Sequence, residues 1–165
     1  MKLSQTLAKL LLIPAFAMMA LPVAAQTSSP ASHALVLEDV SPVDFATTLS
    51  KLKQQFNTDG WNIVAEIDLG ARLAKKNVII PGGLVILELT SGKYAVPLLK
   101  NDETRYISAL MPCSVSVYGM SDGRVMVSRM NAGMTVGMME PRVGEAMKKS
   151  AAQLDESIAR ALSSR

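Results

Sequence analysis

Cys113 is the one thiol in a chain of 165 residues that also carries eleven methionines. Thiolate and thioether sulfur together favour soft ions, Cu(I) above harder metals. Met126, Met130, Met134 and Met138 recur every four residues, with Met111, Met120 and Met139 nearby. That repeat is not one helix face, because the first two methionines fall on a strand and the last two in a glycine-containing loop. Methionine is also a flexible core filler and is common at adaptable surfaces, so core or dimer interface is the preferred reading. For Cys113 the preferred reading is a small buried hydrophobe, since no adjacent cation would lower its pKa. The alternative is a redox, sulfur-carrying or Cu(I)-binding protein using Cys113 with Met111 and Met130. Outside that alternative no cofactor is expected.

Other chemistry has thinner support. His33, the single histidine, lies among Ser, Thr, Pro and Ala and is a poor ligand or catalytic base. A serine nucleophile would therefore lack its base. Glu66 and Asp68 could join Glu88 as an acid/base set, but carboxylates two apart on a strand ordinarily form a solvated face. No Cys-x-x-Cys-His, zinc spacing or phosphate loop occurs, and Gly82-Gly83 lacks the Lys-Ser/Thr that a phosphate loop needs. The chain is not read as an enzyme.

The stretch from Leu110 to Asn131 must position these sulfurs. Two valine-rich runs joined by Ser121-Asp122-Gly123 predict a β-hairpin, with Gly123 at the left-handed third position of a three-residue loop. Val117 then faces Val127, and Tyr118 faces Met126. Val115, Val117, Val125 and Val127 share one face; Ser114, Ser116, Tyr118, Met126, Ser128 and Met130 share the other. A two-residue Asp-Gly turn would slip this pairing by one and mix the faces. Tyr118, Met126 and Met130 make the second face too apolar for solvent and mark it for a ligand, a partner or a homodimer.

Around the hairpin, Ala34 to Val40 predicts a first strand. Ser41-Pro42-Val43-Asp44 predicts a helix start, with Ser41 as N-cap. Phe45, Leu49, Leu52 and Phe56 form its apolar stripe, and Asp59-Gly60 its end. Trp61, Ile63, Ala65 and Ile67 alternate as a strand; Gly70 to Asn77 suggests a helical turn or two, and Pro81-Gly82-Gly83 a break. Leu84 to Thr90 is another strand, Lys93 to Lys100 a helix start despite Pro97, and Asn131 to Glu140 a loop. Pro141 opens a last helix with Val143, Met147, Ala151, Leu154, Ile158 and Leu162 along one stripe. This order predicts an α+β, two-layer sandwich: a mostly antiparallel sheet with helices packed on one face.

Lys2 and Lys9, the apolar run Leu10 to Met19 and Val23-Ala24-Ala25 read as a signal peptide over residues 1–25. Residues 26–33 read as a flexible tether and 34–165 as a single domain. The expected address is the periplasm, without a membrane anchor after cleavage. The formal charge of +3 falls to about +1 without Lys2 and Lys9. No basic run exceeds Lys75-Lys76 or Lys148-Lys149, so nucleic acid is not an expected partner.

The wording of the chain resembles a bacterial family known as domain of unknown function 302. The likeness runs from about Leu35 to Leu162, through Lys93-Tyr94-Ala95, Leu98-Leu99, Ala109-Leu110-Met111-Pro112-Cys113, Val117-Tyr118, Asp122-Gly123 and Met130-Asn131. It implies a two-layer fold, frequent homodimers and no established activity. Relatives with a second cysteine just before the Tyr-Ala segment would hold two thiols. This chain has Thr90 and Ser91 near that place, so the resemblance implies no two-thiol chemistry for it.

Overall fold

The computed structural model describes residues 35–163. The leader 1–25, the tether and His33 lie outside the described residues. Five strands form a single antiparallel sheet: β1 (Val36–Ser41), β2 (Asn62–Asp68), β3 (Leu84–Thr90), β4 (Cys113–Gly119) and β5 (Val125–Met130), in the order β1-β5-β4-β3-β2. The helices are α1 (Phe45–Thr58), α2 (Leu69–Ala74), α3 (Gly92–Leu99) and α4 (Pro141–Ser163). A 3-10 turn, Arg105–Leu110, precedes β4, and the loop after β5 holds two more, Ala132–Met134 and Val136–Met138. The architecture is α+β in two layers.

The predicted hairpin register is the observed one: Val117 pairs with Val127 and Tyr118 with Met126. Gly123 has φ +89°, and its N–H donates to the Met120 carbonyl while the Met120 N–H donates to the Arg124 carbonyl. A left-handed third residue is what closes a three-residue loop without splaying the strands. The valine face is consequently buried, packed with Val85, Leu87 and Leu89 of β3 against Leu52 and Phe56 of α1 and Leu154 and Ile158 of α4. A smaller cluster, Leu98, Ile107, Val143 and Met147, ties α3 and the first 3-10 turn to the start of α4.

Two local expectations are corrected. The N-cap of α1 is Asp44, whose carboxylate accepts from the Thr47 N–H at 3.0 Å, and not Ser41. Ser41 ends β1, and its hydroxyl is engaged by the buried Thr48 hydroxyl at 2.6 Å. The alternation of β2 is also interrupted. A bulge between Ile63 and Ala65 puts Ile63 opposite Leu89 on the helix side but Ala65 and Ile67 opposite Glu88 and Ile86 on the other. One unpaired residue, Val64, reverses the facing of the strand.

Among the described residues no helix covers the second face of the sheet. Register places on it Val36, Glu38 and Val40 from β1, Met126, Ser128 and Met130 from β5, Ser114, Ser116 and Tyr118 from β4, Leu84, Ile86 and Glu88 from β3, and Ala65 and Ile67 from β2. Among the described residues no helix is long and apolar enough to cross a membrane.

Candidate functional site

The β4–β5 ladder ends at Val115 opposite Arg129. Beyond that pair each strand keeps its outer neighbour: Cys113 still pairs with Leu89, and Met130 with Val36. Pro112, which has no N–H to donate, immediately precedes the first residue of β4. Between the parting strands, beneath α4, lies a cleft of about 410 Å³. Its walls bring together the three sulfur residues singled out above, Met111, Cys113 and Met130, and add Met147 from the buried stripe of α4. Met147 had no mark of a site residue in the sequence, since it fits an ordinary helix stripe.

Deeper in, a second cavity of about 20 Å³ abuts the cleft through Met111, Cys113, Met147 and Ser150. Trp61 and Tyr94 line it, their ring centroids 6.4 Å apart. Tyr94 is fixed there by donating to Gln153 at 2.6 Å, and the Gln153 amide donates to the Asp59 carbonyl at 2.8 Å. Trp61 Nε1 is buried without a partner. Thr90 and Ser91 also line this inner cavity, so they stand beside Cys113 as hydroxyls and not as a second thiol.

Cys113 is partly buried at the junction of the two spaces. Burial pushes its thiol pKa up, a hydrogen bond with Ser150 opposes the rise, and the Glu88 charge adds to it. The thiol is thus held toward its protonated, less nucleophilic form. Among the described residues no group of three or more His, Cys, Asp or Glu is placed to hold a metal.

The open-face residues divide. Tyr118 donates a short hydrogen bond to Glu38 on β1, reaching across β5, which lies between their strands. Burial, then that hydrogen bond and charge, push the Tyr118 pKa up to about 12. Met126 lies on β5 between those strands and is only 6% exposed. Met130, at the end of β5, is 44% exposed and lines the cleft. Of the predicted ligand contacts Tyr118, Met126 and Met130, therefore, only Met130 is freely available.

The proposed carboxylate set is not one set. Glu66 turns to the helix side and pairs with Lys53 at 2.7 Å. Asp68 caps α2 by accepting from the Ala71 N–H, and Glu88 accepts from Ser114 on the open face. The β2 bulge separates Glu66 from Glu88.

The family model described as "Domain of unknown function DUF302" matches residues 38–164. A crystal structure of an uncharacterized conserved protein DUF302 from Bacillus stearothermophilus has the same fold, with a TM-score of 0.69 at 20% identity over 78% of this chain and 99% of that one. No curated protein matches the chain. The match of the family model over nearly the whole described domain identifies the chain as a member of the DUF302 family of domains of unknown function.

Proposed function

We propose that this is a non-enzymatic binding domain of the periplasm that works as a homodimer, paired through the open face of its sheet. The observation that carries the reading is that face: Val36, Val40, Ile67, Leu84 and Ile86 surround Tyr118 and Met126 with none of the described helices over them. Two of its polar groups are already bonded within the chain, Tyr118 to Glu38 and Ser114 to Glu88, so a second copy need not supply partners for those hydroxyls. A self-complementary apolar patch meets the requirement of a two-fold contact. Light scattering at micromolar concentration is expected to give twice the chain mass with or without reductant. Val40→Asp, at a side chain 39% exposed, is expected to give a folded monomer. A monomeric parent protein would remove the reading, and a dimer lost in reductant would replace it by a Cys113–Cys113 bridge.

A second reading, a redox, sulfur-carrying or Cu(I)-binding protein, draws on the meeting of Met111, Cys113 and Met130 in one cleft. Intact mass of protein recovered from the periplasm tests the address and the thiol together. The expected result is a chain lacking Met1 to Ala25 with no adduct on Cys113. A reductant-sensitive adduct, or a copper ion lost in Cys113→Ser, would favour the second reading; full-length protein in the membrane fraction would overturn the address. With no ligand role, Cys113→Ser costs about 1 kcal/mol, the low end for a buried hydroxyl, because Ser150 can bond it.

A further inference from the structure

We propose that the cleft between the parting ends of β4 and β5 is a binding site for a small lipophilic molecule that is neutral or cationic. The inference does not depend on self-association, because the cleft is a feature of one chain. Its volume of about 410 Å³ lies in the range of small-molecule sites, roughly 300–1,000 Å³. Its walls are chiefly Leu110, Met111, Met130, Met147 and Leu154. Thioethers are polarizable and conformationally adaptable, and they make favourable contacts with aromatic rings. Flat aromatic or alicyclic bodies suit such a lining better than a bare ion, which would leave most of the space unfilled.

Charge selects within that class. Among the described lining residues Arg129 is the one basic side chain, and its guanidinium is already held by Asp39 of β1 and Asp155 of α4, the latter at 2.6 Å. Two carboxylates on one guanidinium leave a net negative charge there. Glu88 adds another, met by the Ser114 hydroxyl at 2.9 Å. A ligand carboxylate or sulfonate would enter a field of its own sign with no unpaired basic side chain among the described lining residues to receive it. A neutral body, or one with an amine near Glu88, meets no such opposition.

A matched pair of fluorescent probes reads both halves of the proposal. N-phenyl-1-naphthylamine is neutral; 1-anilinonaphthalene-8-sulfonate has the same ring system with a sulfonate. The neutral probe is expected to bind saturably, one per chain, and the sulfonate about tenfold more weakly or worse. Ala109→Trp, at an exposed residue that belongs to neither core cluster, fills the cleft from the 3-10 turn and is expected to abolish binding while leaving the circular dichroism unchanged. The single cysteine gives an independent readout. Iodoacetamide labelling of Cys113, followed by intact mass, is expected to slow several-fold when the neutral probe is bound. Equal or tighter binding of the sulfonate would overturn the charge argument. Binding unaffected by Ala109→Trp, or a labelling rate indifferent to the probe, would place the probe elsewhere and overturn the site. Failure of the dimer experiment alone would leave these results standing.

Discussion

Gly119→Ala is expected to cost the fold about 3 kcal/mol, the upper part of the range for forced overpacking. A Cβ on Gly119 would stand 2.2 Å from the Pro81 carbonyl oxygen and 2.7 Å from the Gly82 Cα. Both are backbone atoms, so no side-chain rotation relieves the overlap. The Gly119 N–H also donates to the Gly83 carbonyl at 3.0 Å, and parting the two segments would lengthen that bond. Disturbance there propagates into β3, which begins at Leu84, and into the hairpin. Urea unfolding of the variant checks the loss. Gly92→Ala is the matched control: nothing lies within 4 Å of its would-be Cβ. It should be neutral or stabilising by up to about 1 kcal/mol. Equal midpoints for parent and Gly119→Ala would show that the Pro81-Gly82 segment yields freely.

Arg129→Met is expected to cost about 2–3 kcal/mol. The side chain is 10% exposed and bonds Asp39 and Asp155, joining the edge strand β1 to α4. Breaking a fully buried pair costs roughly 3–5 kcal/mol, because a desolvated charge is left alone. Asp39 and Asp155 are 35% and 43% exposed, so water recovers part of that penalty. Adding Asp155→Asn to Arg129→Met should cost less than the sum of the two single changes, since the repulsion between the orphaned carboxylates is removed. Additive losses in denaturant melts would mean that the two groups do not act as one network.

The parts of this fold that were legible in sequence are those set by neighbours along the chain. Ser121-Asp122-Gly123 specifies its own loop, and the loop specifies register, so the valine face followed. The stripes of α1 and α4 are equally local. Asp44 defeated the reading at the start of α1 because Ser41 and Asp44 both satisfy the chemistry of a cap. Only the pairing of Ser41 with Val125 at the end of β1, a contact distant in the chain, decides between them. The β2 bulge was hidden for a similar reason: Trp61, Ile63, Ala65 and Ile67 alternate without fault, and the extra residue is visible only against β3. The sulfur residues of the cleft could be picked out by type. Their meeting depends on where two ladders stop, which no local pattern encodes. Tyr118 and Met126 were rightly placed on one face, but the reach of Tyr118 to Glu38 is a contact 80 residues long.

That reach belongs to a wider arrangement with a kinetic consequence. β2, β3, β4 and β5 pair with sequence neighbours, whereas β1 completes the sheet only by pairing with β5. Its links span long stretches of chain, Asp39 with Arg129 being 90 residues apart. Closing so long a loop is entropically costly until the meander already exists to receive it. Strand β1 should therefore dock after the rate-limiting barrier, with φ-values near zero along it. Changes at Asp39 or Val40 would then raise the unfolding limb of a chevron and leave the refolding limb where it stands.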